Sequence, residues 1–305
     1  MNRSTPIVAK SRILRIRNKE LVFGLRTYVM GIVNVTPDSF SQDGIVDSQA
    51  AISYALKQIQ KGADIIDIGG QSARPGHQPI DEETEIKRIL PVIAGLRKVS
   101  DVIISIDTFS AVVLEQAIAA GADILNSIWG LTDELLQIVK RNPIPIVIMH
   151  NRGNLPNPPL QNMKESVGVD AIDPGNGMIA EVVDYLADAA NKAMAAGLAR
   201  EQIILDPGIG FGKTADQNIE ILSQFNKITA LGFPTLIGSS RKSTIGKLTD
   251  RPVDQRVFGT AATVAFAIAQ LVDIVRVHDV EEIVDVIKVS DALVRNWRPD
   301  NWTNQ

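Results

Sequence analysis

Cysteine is absent from the 305 residues, which excludes disulfides, iron–sulfur clusters and cysteine-bound zinc. Histidine is scarce. His77, His150 and His278 are the whole supply, too few for a histidine-rich metal cage. A metal acting here is expected to be a hard cation on oxygen ligands, such as magnesium. Long apolar runs are missing too. The longest uncharged stretch, between Arg256 and Asp273, falls short of the ~18 residues that cross a bilayer. It contains Gly259, Thr260, Thr263 and Gln270, which suits a buried helix and argues against a membrane partner. Excess positive charge is also lacking. A net charge of -4 leaves no basic face for nucleic acid, so any anion must be held in a local pocket. The N-terminus has no secretory apolar core. It is basic, with no acidic residue before Glu20, so a short organelle presequence stays open beside the expectation of a cytoplasmic protein.

What is present is ordinary globular material, 45% hydrophobic and 22% charged, which excludes disordered and collagen-like classes. Eight short apolar runs rich in β-branched residues stand out. They are YVMGIVNV from Tyr28, ADIIDIGG from Ala63, VIISIDT from Val102 and DILNSI from Asp123. IPIVIMH from Ile144, QIILDPG from Gln202, PTLIGSS from Pro234 and DIVRVHD from Asp273 follow. Runs like these read as parallel strands buried on both faces. Helix-like stretches lie between most of them. Ser48 to Lys61 stops at Gly62, Asp81 and Ser110 can cap two more helices, and Glu181 to Ala196 ends at Gly197. Strand and helix alternating eight times predict an α/β fold, a (β/α)8 TIM barrel, with a doubly wound open sheet as the rival. RILRIRNKELVFGL predicts a short N-terminal β-hairpin around an Asn-Lys turn. The expected organisation is therefore an extension over 1–27 and a barrel over 28–297. The connection after the fifth strand is long, and its Pro-, Gly- and Asn-rich composition marks it as a functional or disordered loop.

Polar residues gather where the strand runs end. Asn34 and Asp38 follow the first, Arg74 the second, Asp107 the third, and Asn126 the fourth. Asp206 follows the sixth, Ser240, Lys242 and Ser243 the seventh, and Arg276 and His278 the eighth. Singly, each has a plainer reading: Asp107 as a helix cap, Asp-Pro-Gly at 206–208 as a turn, His278 as a structural histidine. Together they mark the rim of a barrel, where active sites lie. GIGFGKT at 208–214 imitates a phosphate loop but puts Pro207 where the first glycine must be, so no nucleotide site follows.

Asp107, Asn126 and Asp206 with Lys242 would satisfy a flat heterocycle bearing an amino-amide edge, because a carboxylate accepts two parallel N–H bonds. Arg276 could lie flat over such a ring. Asn34, Arg276 and His278 could meet an anion, with a hard metal on Asn34. The helix opened by Ser243 offers N–H groups to a carboxylate.

The strings MGIVNVTPDSFSQDG, DIGGQSARPG, SIDT, LDPGIGFGKT, GSSRKS and IVRVHDV, from about Tyr28 to Asp291, resemble the dihydropteroate synthase family. The resemblance implies a (β/α)8 barrel, usually a homodimer, that joins hydroxymethyl-dihydropterin pyrophosphate to para-aminobenzoate with magnesium. It implies a pterin site at Asp107, Asn126, Asp206 and Lys242, lined by Met149 and Ile128, with Arg276 stacked on the ring. Pyrophosphate and magnesium would sit at Asn34, Arg276 and His278, under the loop bearing Asp38. Aminobenzoate would lie against Phe40, Arg74, Pro75, Phe211 and Lys242, with its carboxylate at Ser243. Ser240 belongs to the same substrate-binding cluster. The chain departs from the family at Ala73, usually Thr, at Ser127, usually Asp, and around Asp43. A methyl-transferring pterin-binding domain and a catalytically silent relative are the alternatives. Neither needs the pyrophosphate-side residues.

Overall fold

The molecule was described from a computed structural model, which covers residues 12–36, 41–42, 45–71, 80–152 and 177–303. All eight expected strands form. They are β3 (Tyr28–Asn34), β6 (Ile65–Gly69), β7 (Ile103–Asp107), β8 (Ile124–Ser127), β9 (Ile146–Met149), β10 (Ile203–Asp206), β11 (Leu236–Ile237) and β12 (Ile274–Val277). They pair in parallel in the order β10-β9-β8-β7-β6-β3-β12-β11. A parallel bridge from Leu205 to Thr235, and the Leu205 N–H donated to the Pro234 carbonyl at 2.9 Å, join the two edges. The sheet is thus a nearly closed barrel, and the open-sheet alternative falls.

Around it lie α1 (Ser48–Gln60), α2 (Glu82–Val99), α3 (Ala111–Ala120), α4 (Asp133–Arg141), α5 (Met178–Ala195), α6 (Ala215–Ser223), α7 (Asn226–Thr229), α8 (Ser243–Thr249), α9 (Val257–Ala269) and α10 (Val280–Val294). None is long and apolar enough to cross a membrane. Two-residue strands β4 (Ser41–Gln42) and β5 (Ile45–Val46) pair ahead of α1. The expected caps form. Asp81 accepts the Thr84 N–H at 2.6 Å and Ser110 accepts that of Val113 at 3.2 Å. Asp107 is thereby free of the capping role. Helix α5 begins at Met178, three residues ahead of the expected Glu181. Glu220 of α6 explains the difference, because its carboxylate accepts the Met178 and Ile179 N–H groups at 3.2 and 3.1 Å. A cap supplied from another helix leaves no local signal.

The barrel interior has two levels, and strand alternation creates both. Met30, Ile65, Ile103, Ile124, Val147, Ile204, Leu236 and Ile274 point inward and are buried together. Two residues further along six of these strands the inward side meets Asp67, Ser105, Asn126, Met149, Asp206 and Arg276, because side chains repeat their direction with period two. The apolar level lies toward the strand starts and the polar level toward their C-terminal ends.

The hairpin closes the apolar end. Strands β1 (Arg12–Ile16) and β2 (Lys19–Phe23) send Leu14, Ile16, Leu21 and Phe23 into the inward apolar cluster. Ile16 pairs with Lys19, so the turn is Arg17–Asn18, one residue before the expected Asn-Lys. Burial fixes this register, since Leu14 and Leu21 face each other and a one-residue slip would turn one of them outward. Arg12 ties the hairpin to fully buried Asp273 at 2.8 Å, and Phe23 meets Tyr28 edge-on with centroids 5.7 Å apart. Replacing Phe23 by Ala removes the floor without touching the mouth. Urea unfolding should show a loss of about 3–5 kcal/mol, while the activity of the protein that remains folded stays near normal.

Candidate active site

The polar level of the barrel is organised around Arg276. Its Nε donates to Asp67 Oδ2 at 2.6 Å and its Nη2 to Asp107 Oδ2 at 2.9 Å. Asn126 Nδ2 donates to the same Asp67 oxygen at 3.1 Å. Three strands, β6, β7 and β8, thus present acceptors and an amide to a cation from β12. Asn34 stands at the edge of this group: a side chain built on Gly69 would lie 3.4 Å from Asp107 Cβ and 3.8 Å from Asn34 Oδ1. Met149 and Asp206 are register partners on β9 and β10 and lie at the same level. Met149 and Ile128 are both buried.

The turn after β10 supplies the opposite wall. Asp206 Oδ1 accepts the Gly208 N–H at 2.7 Å. Gly208 has φ +66°, and a side chain there would collide with the His150 carbonyl, so only glycine fits. Lys213 of the false phosphate loop turns inward instead. Its Nζ donates to the carbonyls of His150, Gly208 and Phe211 at 3.0, 3.0 and 3.1 Å. That clamp holds Phe211 in place, and Lys242 Nζ lies 4.1 Å over the Phe211 ring.

Lys242 arrives from the turn before α8. The preceding Arg241 has φ +58°, a strained backbone for a residue with a side chain. A two-pronged pair with Asp279 and an N–H bond to Thr260 at 3.0 Å hold it there. Beside them Ser240 Oγ lies 3.0 Å from His278 Nδ1 and accepts the His278 backbone N–H at 3.2 Å. The Ser240 hydroxyl thereby fixes the orientation of the His278 ring.

Burial sets the protonation chemistry. It pushes Asp107 up to about 7, with Arg276 pulling down and Asp67 and Glu85 pushing further up. It pushes Asp206 up to about 6 against the Gly208 N–H, Lys242 and Arg276. It pushes the Lys242 amine down to about 8, helped by Arg276 and opposed by both carboxylates. Burial and the neighbouring Arg276 and Arg241 push His278 down to about 3, so its ring is neutral near pH 7. Arg276 stays charged despite burial because Asp67 and Asp107 hold it so.

The structure therefore gathers Asn34, Asp107, Asn126, Met149, Asp206, Phe211, Ser240, Lys242, Arg276 and His278 at one end of the barrel. Ser243 is exposed at the head of α8. Asp38, Phe40, Arg74 and Pro75, with the departures Ala73 and Asp43, lie outside the described residues. Ser127 does not reach the pocket: it follows inward-facing Asn126 and donates its hydroxyl to the Gly130 carbonyl at 2.6 Å. His150 and Arg152 turn away to Glu181 of α5, at 3.3 and 2.9 Å. Two residues escaped the sequence reading. Asp67 had a signal, as a carboxylate flanked on both sides by isoleucine within an apolar strand run. Lys213 had only a misleading one. Among the described residues, no group of three or more His, Asp or Glu side chains could hold a metal.

Fold and site together define a (β/α)8-barrel enzyme with its polar groups gathered at the C-terminal mouth. The sequence profile described as pterin binding enzyme matches residues 30–278, and the chain belongs to that family. It is 48% identical over 280 residues to the dihydropteroate synthase of Synechocystis sp., covering 90% of this chain and 92% of that one. A structure of dihydropteroate synthase from Clostridium difficile in the presence of pteroic acid superposes with TM-score 0.79 at 40% identity, over 90% of this chain and 98% of that one. The Xanthomonas albilineans enzyme with 4-aminobenzoic acid gives TM-score 0.83 at 36% identity, over 95% and 100%.

Asp206 allows a test of the electrostatics. Its folded pKa is raised, so the folded state binds the proton more tightly and stability falls as pH rises from the ordinary 3.8 through about 6. Asp206→Asn keeps an acceptor for Gly208 and deletes the charge. In urea unfolding at pH 4.5 and 7.5 the variant should gain on the wild type by about 2 kcal/mol at the higher pH.

Proposed function

We propose that the chain is a dihydropteroate synthase, joining hydroxymethyl-dihydropterin pyrophosphate to para-aminobenzoate with release of pyrophosphate. The observation that carries this reading is the meeting of a buried and a half-buried carboxylate, a buried amide, an arginine and a lysine at one barrel mouth. That set complements a pterin. Asp206 and Asp107 accept from its amino-amide edge, Asn126 pairs with the ring, and Lys242 donates to its carbonyl and ring nitrogen. Arg276, held flat between carboxylates, stacks on the ring with Met149 and Ile128 lining the pocket. Residues 28–297 form the pterin-binding barrel, and 1–27 form an extension whose hairpin closes its floor.

The reaction breaks the C–O bond between the pterin methylene and pyrophosphate, and the oxygen leaves with the bonding pair. The electron-rich ring spreads the cation left on carbon. Arg276 and the His278 ring face the departing charge, and fixed polar groups of this kind cost no reorganisation as charge develops. The arylamine nitrogen then attacks the same carbon. The resulting anilinium is acidic enough to lose its proton to solvent or pyrophosphate, so no strong general base is needed. Phe211 and Lys242 pack against the aminobenzoate ring, Ser240 supports His278, and Ser243 receives the carboxylate. Asp38, Phe40, Arg74 and Pro75, outside the described residues, complete this assignment: the loop bearing Asp38 would close the pyrophosphate site, Phe40, Arg74 and Pro75 would lie against the aminobenzoate, and the first two loops would orient the amine and exclude water.

Magnesium is the cofactor of this reading. The fit rests on donor chemistry: Asn34 offers a hard amide oxygen at the rim, and magnesium commonly takes one or two protein oxygens and fills its shell with waters and phosphate. Bound there, it would neutralise the leaving pyrophosphate.

The protein is further read as a cytoplasmic homodimer. Exposed apolar side chains on the last two helices support the dimer: Phe258 and Phe266 of α9 are 85% and 53% exposed, and Leu293 and Val289 of α10 are 82% and 62% exposed. Phe258→Glu with Leu293→Glu should shift the light-scattering mass to one chain, and an unchanged mass rules out this interface. For the reaction, pyrophosphate release should require both aminobenzoate and magnesium and should match dihydropteroate one for one. Lys242→Ala should lower turnover at least ~10²-fold, and a near-normal rate rejects the assignment.

A further inference from the structure

We infer that Asp67 is the fixed anchor of Arg276, a positioning residue that keeps the guanidinium flat over the pterin while Asp107 changes partners. The inference rests on the synthase reading above. Arg276 is held between two carboxylates of different character. The Asp107 side chain is 14% exposed, at the mouth, and is one of the acceptors assigned to the pterin edge. The Asp67 side chain is 0% exposed and sits mid-strand in β6, one level deeper. When substrate takes Asp107, the arginine loses that partner. The Nε bond to Asp67 at 2.6 Å does not compete with substrate.

A planar guanidinium held through Nε cannot swing out of its plane without breaking that bond. The same Asp67 oxygen accepts from Asn126 at 3.1 Å, so one atom sets two groups of the proposed ring site. The second Asp67 oxygen has no partner among the described residues. The carboxylate thus spends its described contacts wholly on the pocket. Its anion matters as well as its shape. With an amide at position 67, Asp107 would be the only described carboxylate in direct contact with Arg276. Releasing Asp107 to the pterin would then leave the cation buried without a charged partner, a costly state.

The test is Asp67→Asn, with Ser105→Ala as control. Ser105 is the register neighbour of Asp67 at the same level, fully buried, with no partner for its hydroxyl among the described residues. Asp67→Asn should raise KM for the pterin substrate and lower kcat, together ~10–100-fold in kcat/KM, the range seen when a buried orienting group is lost. KM for aminobenzoate should stay within a factor of about 3, and Ser105→Ala should resemble the wild type. A normal pterin KM in Asp67→Asn overturns the inference. So does an equal rise in both KM values, or an equal effect of Ser105→Ala, because either signals general loosening.

A wild-type measurement covers the case in which Asp67→Asn does not fold. The Arg276 Nε–H proton, assigned by its loss in Arg276→Lys, should be protected from exchange in the free and in the pterin-bound enzyme. Loss of protection on pterin binding overturns the anchor. Wild-type protein that binds pterin but forms no dihydropteroate rejects the synthase reading alone. The anchor is then judged by pterin affinity, which must fall in Asp67→Asn.

Discussion

The arrangement at the barrel mouth depends on one constraint: a guanidinium drawn into the interior must keep carboxylate partners. Arg276 rises from β12 into the barrel interior, where a charge without a partner is costly. Asp67 and Asp107 supply the partners from two adjacent strands, at 2.6 and 2.9 Å. The consequences spread through the site. Burial raises Asp107 and Asp206, with Asp67 and Glu85 adding to the rise at Asp107, and the same cation opposes both rises and helps lower Lys242 and His278. The groups that would bind a ring and a leaving anion are therefore tuned by one another, so no single residue can be read in isolation.

The barrel makes this possible by separating its two ends. One end is filled by inward apolar residues and sealed by the hairpin. The other is left to polar groups. The separation takes only two residues along four of the strands, from Ile65 to Asp67, Ile124 to Asn126, Ile204 to Asp206 and Ile274 to Arg276. Stability and chemistry thus occupy successive turns of the same alternation, which lets the floor be firm while the mouth holds unfavourable charge.

Much of this was legible beforehand, and particular residues show why. The strand runs were visible because parallel strands buried on both faces need unbroken β-branched sequence. Asp81 and Ser110 announced their helices because a cap acts within three residues. The start of α5 was not legible, since its cap is Glu220, some forty residues away in the chain. The turn of the hairpin was misplaced by one residue because its register is set by what Leu14 and Leu21 bury against. Ser127, conspicuous as a departure from the family pattern, proved to face away from the pocket.

The sequence by itself determined the number and order of strands, the absence of thiol chemistry, and the residue types available at each strand end. Those follow from local rules of period, propensity and composition. Only the tertiary structure decided which of those side chains meet. Asp67 and Arg276 are separated by 209 positions, yet closure of the barrel puts β6 and β12 on either side of β3, within reach of a single hydrogen bond. The same closure turned Lys213 from an apparent phosphate ligand into a clamp on three carbonyls. A charge takes its role from the partners that burial leaves it, and burial belongs to the fold as a whole.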